Sequence, residues 1–277
     1  MNQALPPVSV AGIAFWSPRL PGWEIARAVI RGEAEMPQAA AARPAPAMLA
    51  PTERRRAPDT VAIALEVAAR ACAAAARVPA DLPSVFASTH GDLAISDYMC
   101  TTLVSTPTLI SPVKFHNSVH NAAAGYWSIG TASHAPYTAI SAFQHTFGTG
   151  LLEAVTQVHC ERRAVLYVAF DIEAKGALGT IAPSRGLLGA ALVLAPLDER
   201  SLPDASPQLA LEVRTGEPAI PTLARSAAVA AVDENVLAPC LPLFEALAAE
   251  GPSVVTLTLS EHMVLRATVN RQMNRKD

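Results

Sequence analysis

Charge is scarce in this chain. Only 16% of its 277 residues are Asp, Glu, Lys or Arg, and 21 basic against 24 acidic residues leave a net charge of −3. A duplex-binding protein needs a basic face, and nothing in this balance provides one. Aromatic residues are also few, at 5%. Cys72, Cys100, Cys160 and Cys240 are widely scattered without a CxxC pair, the pattern of reduced thiols rather than of a disulfide framework. No uninterrupted apolar run approaches the ~20 residues that cross a bilayer. The opening MNQALPPVSVAGIAFWSP lacks the basic and long apolar regions of a signal peptide, so the expected location is the cytoplasm. No internal repeat is visible.

What is present is apolar and small. Hydrophobic residues make up 51% of the chain and alanine is abundant, which suits close packing of helices on sheets and some surface hidden against a partner. Residues 8–15 (VSVAGIAF), bounded by prolines, read as a buried strand. Residues 22–32 read as a short helix ending at Gly32, and 36–51 as an irregular proline-rich loop. Asp59 is the expected N-cap of a long helix to about Arg77. A short strand follows at 84–90, and Gly91-Asp92 opens a helix to about Leu103. A small-residue helix ending near Gly130, a strand at 136–142, a helix from Gln144 to about Arg162, and buried strands at 164–171 and 187–195 complete the series. This alternation predicts an α/β layered domain with a mostly parallel sheet flanked by helices.

After Pro196 the character changes. Residues 198–235 are polar and rich in proline, with one strand-like stretch at 209–213. A helix at about 241–249 and two strand-like runs form an αββ extension with a terminal hairpin, and the tail RQMNRKD is expected to fray. The expected organisation is therefore a domain over 1–196, and a linker, helix and hairpin over 197–277 that pack on it.

Two blocks carry a resemblance. The first is VSVAGIAFWSPRLPGWEIARAVIRGEAE (8–35), the second FHNSVHNAAAGYWSIGTASHAPYTAISAFQHTFGTGLLEAVTQV (115–158). Together, and in this order, they are similar to the N-terminal half of thiolase-fold ketosynthases. The wording SVHNAAAGYWSI, TAISA, GLLEA resembles the short β-ketoacyl synthase chain length factors of aryl-polyene pigment pathways. The resemblance spans roughly residues 8–196 and weakens beyond. It implies a thiolase-like layered fold.

Two departures qualify what the resemblance implies. In ketosynthases a Gly-Pro opens the elbow strand and the nucleophilic cysteine follows at a fixed interval. Here the pair is Ala135-Pro136, and the same ungapped interval lands on Gln144. An amide donates and accepts hydrogen bonds but forms no thioester, whereas condensation needs a thiolate. The second departure is that neither of the two glycine-rich histidine motifs of a ketosynthase's second half occurs in 197–277. The HTFGTG at 145–150 resembles one of them only superficially, since it lies on the elbow helix.

The resemblance thus implies a noncatalytic subunit that pairs with a full-length ketosynthase, and by extension an acyl carrier protein as a second partner. It implies no cofactor. The strand to cross the dimer axis would be Pro136, Tyr137, Thr138, Ala139, Ile140 and Ser141. Channel or pocket candidates are Phe143, His145, Phe147, His120, Asn121, Tyr126 and Trp127, each equally readable as ordinary packing. The basic triplet Arg54, Arg55 and Arg56 is a candidate dock for an acidic carrier, against the commoner meaning of a solvated loop. His116 and His120 form an HxxxH pair without acidic neighbours or a third ligand, so no metal site is expected. Ser88 to Asp92 marks a strand-to-helix corner where α/β folds often carry function, or else a capping cluster. A stand-alone acyltransferase or decarboxylase using another cysteine, and a homodimeric acyl-binding scaffold, are the competing readings.

Overall fold

The computed structural model describes residues 2–199, 206–216 and 219–271. Residues 272–277, most of the tail expected to fray, lie outside them. In chain order the elements are β1 (Asn2–Ala4), β2 (Val8–Trp16), α1 (Trp23–Ile30), α2 (Pro51–Arg56), α3 (Asp59–Ala74), β3 (Ser84–Ala87) and α4 (Leu93–Ser105). Then come α5 (Pro112–Asn117), α6 (Ala122–Gly130), β4 (Tyr137–Ile140), α7 (Thr146–Glu161), β5 (Val165–Asp171) and β6 (Leu188–Pro196). The chain closes with β7 (Gln208–Thr215), α8 (Leu241–Ala248), β8 (Ser253–Ser260) and β9 (Met263–Asn270).

The nine strands of the described residues form one sheet, ordered β4-β3-β5-β6-β2-β7-β9-β8, with β1 also paired to β7. The β3–β4 and β3–β5 ladders are parallel. Helices α4 to α6 and α7 supply the crossovers that such neighbours require. The other ladders are antiparallel. The expectation of a mostly parallel sheet therefore narrows to the strands joined by helices. Between β5 and β6 the chain runs through a loop with a single 3-10 turn, Ala177–Thr180, and β8 turns directly into β9.

Helices cover both faces. Along β5, Val165, Tyr167 and Ala169 enter the core shared with α1, α7 and α8, while Leu166, Val168 and Phe170 enter the core shared with α3 and α6. Burial on both faces explains why this strand is a continuous apolar run. In β2 the phase slips once. A bulge between Val10 and Gly12 moves the α1-side positions from Val8 and Val10 to Ile13 and Phe15. At Gly12 any side chain would overlap the Ala71 carbonyl of α3, so the glycine lets that helix seat directly on the strand.

Three boundaries differ from expectation. Pro58 takes the cap position of α3, and Asp59, its first residue, pairs with Arg43 instead. The helix expected to end near Gly130 is preceded by a separate one, α5, with residues 118–121 between them. His116 and His120 therefore do not share a helical face. His116 packs edge-on against Tyr126, and the His120 Nε2 hydrogen-bonds the Ser88 carbonyl at 2.8 Å. Finally, α7 begins at Thr146, after a 3-10 turn over Phe143–His145.

Candidate functional site

The turn between β4 and α7 is held in a constrained shape. Phe143 has φ +51°, a left-handed conformation that costs an aromatic residue about 1–3 kcal/mol and persists only where its surroundings over-determine it. Here Thr146 does so. Its Oγ1 donates to the Phe143 carbonyl (2.6 Å) and accepts from the Ala142 N–H (2.9 Å). The Ser141 hydroxyl donates to the Thr89 carbonyl (3.0 Å), tying the corner to the turn after β3. Gln144 is exposed at the centre of the 3-10 turn. His145 Nδ1 is hydrogen-bonded to Thr258 Oγ1 of β8 at 2.8 Å.

A cleft of about 1170 Å³ opens beside this corner. Gln144, His145 and Phe147 border it on one side, and Leu257, Thr258 and Glu261 on another. The third wall is the irregular segment from Ala219 to Pro242, where Val229, Val232 and Leu241 are apolar and Asp233 and Glu234 are charged. This wall is held by hydrogen bonds. The Thr222 N–H donates to the Thr256 carbonyl and the Thr256 N–H to the Thr222 Oγ1, both at 2.9 Å. The Glu245 carboxylate accepts from the N–H groups of Arg225 (2.9 Å) and Ser226 (2.7 Å).

A buried carboxylate organises the adjoining turn. Asp171 ends β5 with no exposed surface. It accepts from the Ser88 hydroxyl (2.9 Å), the Thr89 N–H (3.0 Å) and the His90 N–H (3.3 Å). Burial pushes its acidity toward the neutral form, and these donors partly offset that. Asn235 donates to the Arg185 carbonyl at 3.0 Å, joining the cleft wall to the β5–β6 loop. Asp171 and the wall were not among the residues singled out by sequence. An acid terminating an otherwise apolar strand (VLYVAFD) was the available signal for the first. The wall was hidden because its proline-rich composition resembles a linker.

No cysteine lies at the corner. Cys160 is exposed at the far end of α7 and Cys100 is exposed on α4. Cys72 and Cys240 are buried, and burial pushes the Cys72 thiol up to about 12 and the Cys240 thiol higher still. Thiols so placed are poor nucleophiles.

The other candidate residues divide. Phe143 lies at the corner itself. His120, Asn121, Tyr126 and Trp127 do not border the cleft. Trp127 is buried against Phe86 in the α3-side core, and Asn121 donates to the Tyr137 hydroxyl at 3.1 Å. Pro136 and Ser141 flank β4, which contains Tyr137, Thr138, Ala139 and Ile140 and forms one edge of the sheet. Of the basic triplet, Arg54 is spent on the Ala47 and Leu49 carbonyls, while Arg55 and Arg56 are exposed. Among the described residues no group of three or more His, Cys, Asp or Glu could hold a metal ion, and no helix is long and apolar enough to cross a membrane.

Residues 30–254 match the family described as β-ketoacyl synthase, N-terminal domain. The chain belongs to this family. The match runs well past Pro196, so the polar segment and α8 fall within the family's own span. None of the curated proteins matches the sequence. Solved structures share the thiolase-like ketosynthase fold. A ketosynthase (ApeO) in complex with its chain length factor (ApeC) from Xenorhabdus doucetiae superposes with a TM-score of 0.69 at 18% identity, over 95% of this chain and 100% of that one. The ishigamide ketosynthase/chain length factor gives 0.66 at 16% identity, over 96% and 99%. A type II polyketide synthase acyl-carrier protein in complex with its hexaketide-bound ketosynthase (AntDE:AntF) gives 0.70 at 11% identity, over 98% and 99%.

Proposed function

We propose that this β-ketoacyl synthase family chain is a noncatalytic subunit that pairs with a full-length ketosynthase and limits how far an acyl chain grows, in polyene or fatty-acid-like biosynthesis. The carrying observation is the corner between β4 and α7. A strained turn stands there with an amide, Gln144, at the position that counting from Pro136 assigns to the nucleophile of the resembling enzymes. The turn is strained at Phe143, yet none of the four cysteines lies on it. Without a thiolate there is no thioester and no condensation by this chain alone.

The sheet edge supports the pairing. Among the described residues β4 is paired only with β3, and an open edge flanked by exposed apolar side chains invites another strand. Tyr137 and Phe143 are exposed there, as are Val119 and Ile129, which lie in the stretch just before β4. The structurally similar assemblies whose descriptions name a ketosynthase with a chain length factor are consistent with a heterodimer. In this reading Arg55 and Arg56 are available to an acidic carrier protein, and Arg54 is not.

Co-expression with a full-length ketosynthase encoded beside it provides the test. The two chains are expected to co-purify at equal stoichiometry, and product length is expected to change when this chain is omitted. Intact-mass measurement after incubation with acyl-carrier substrates is expected to show no adduct on this chain. A chain that purifies alone and leaves product length unchanged, or a cysteine adduct on it, would overturn the reading.

A further inference from the structure

A second pocket, of about 690 Å³, lies between the starts of α3 and α4, helix α5 and the loop joining β5 to β6. It shares no lining residue with the elbow cleft. Ile95, Ile172, Leu187 and Val113 are among its apolar lining. Six charged side chains reach it, and their engagement is uneven. Each carboxylate is already occupied. Asp59 pairs with Arg43, Glu173 sits 3.3 Å from the Lys175 ammonium, and Asp92 Oδ1 accepts from the Ile95 N–H at 2.9 Å. Two of the three cations are not. Arg56 has no hydrogen-bond or carboxylate partner among the described residues, and the Lys114 ammonium meets only the face of Tyr98, 3.9 Å from the ring centre. Asn117, 4% exposed, also lines the pocket, and its Oδ1 has no hydrogen-bond partner.

Two uncommitted cations around an apolar hollow, with every nearby carboxylate engaged, suit a ligand with an anionic head and an aliphatic body. A guanidinium takes two oxygens of a phosphate at once, and an ammonium takes a third as a point charge. We propose that this pocket binds a small organic phosphate. The phosphate sits between Arg56 and Lys114, the carbon chain lies on Ile95, Ile172 and Leu187, and Asn117 Oδ1 accepts from a hydroxyl or N–H of the ligand. This site does not depend on whether the chain pairs with a ketosynthase or has lost its nucleophile, although it uses Arg56, one of the two arginines offered above to a carrier protein.

Calorimetric titration of the full chain with monobutyl phosphate at low salt tests it. Saturable binding of one equivalent is expected, with inorganic phosphate weaker and 1-butanol silent. Arg56→Ala and Lys114→Ala are each expected to weaken binding about tenfold, equivalent to about 1.4 kcal/mol. Arg55→Ala, on the same exposed helix but outside the pocket, is expected to leave it within about twofold. Both pocket cations are exposed, so neither replacement threatens the core, and Lys114→Gln repeats the charge loss with less change in bulk. No saturable binding by the unaltered chain, or equal losses from Arg55→Ala and Arg56→Ala, overturns the proposal.

Discussion

Two glycines in helices should respond to the same substitution with opposite signs. Gly150 lies in α7 against the sheet. A methyl group there would stand 2.8 Å from Tyr167 Cε2 and 2.9 Å from Ala87 Cβ, well inside the ~3.5–4.0 Å that carbon atoms prefer. Tyr167 has no room to retreat. It is fully buried, and its hydroxyl donates to the Phe147 carbonyl of the same helix at 2.7 Å. Alanine gains about 1 kcal/mol over glycine in a helix, whereas overpacking a close-packed site costs about 1–3 kcal/mol. Gly150→Ala should therefore lose up to about 2 kcal/mol. Gly125 in α6 has nothing within 4 Å of the added methyl, so Gly125→Ala should keep the full gain of about 1 kcal/mol. Urea unfolding followed by circular dichroism gives both. The midpoint should fall for Gly150→Ala and rise for Gly125→Ala, with unchanged m-values. At about 2–4 °C per kcal/mol the same ordering should appear in Tm. A Gly150→Ala protein at least as stable as its parent would refute the close seating of α7 on β3 and β5, and with it the rigid support of the Gln144 corner.

Native thiol titration should count Cys100 and Cys160 rapidly, and Cys72 and Cys240 only after denaturant is added; fast reaction of all four would contradict the burial of the last two. Asp171→Ala strands the Ser88 hydroxyl and two backbone N–H groups, and should cost about 3 kcal/mol by chemical denaturation. Asp171 also carries a pH signature. Its folded pKa is raised, so the folded chain holds this proton more tightly than the unfolded chain. The stability it contributes is present below the ordinary carboxylate value near 3.8 and is lost as pH rises through the folded value. Asp171→Asn should flatten that fall, and parallel stability–pH curves for the two proteins would show the titration to be absent. Glu245→Ala frees the Arg225 and Ser226 N–H groups, and should speed limited proteolysis within 219–226 while costing about 1–2 kcal/mol.

Where burial is two-sided, the pattern was legible. β2, β5 and β6 are runs of apolar residues between turn signals, and each appeared as a strand within about a residue of its bounds. Strand direction was not written locally. The β-to-β link from Asp171 to Leu188 is a loop whose composition is silent on whether the next strand returns antiparallel, and only the ladder with β6 decides it. Helix starts were misread by a residue or two for a related reason. Asp59 and Gln144 are both good first-turn residues, but the cap of α3 is Pro58, and a left-handed Phe143 delays α7 to Thr146. An extended conformation is ordinary for proline, so Pro58 could have been read as the residue that stops short of the helix, whereas the positive φ at Phe143 depends on a side-chain bond from Thr146 that no propensity encodes.

The same distinction governs the functional corner. Gln144, His145 and Phe147 follow β4 closely in sequence and all border the cleft, which forms where that stretch meets residues more than seventy positions downstream. Trp127 and Tyr126 pack on the α3 side of the sheet, away from the cleft, and aromatic content alone does not say on which face of the sheet a side chain falls. The elbow carries strain at Phe143, and the Thr146 hydroxyl spends two hydrogen bonds to hold it, although no thiol stands there to benefit. On the proposed reading, a corner kept in a costly shape without a nucleophile needs another beneficiary, and the strand ending four residues before Gln144 lies at the edge of the sheet. If the corner serves to present that edge, relaxing it should loosen partner association before it unfolds the chain. Thr146→Val removes both hydroxyl bonds at almost constant volume. It should lower affinity for a co-purifying ketosynthase while Tm falls by only a few degrees. Loss of stability with undiminished pairing would detach the corner from the interface.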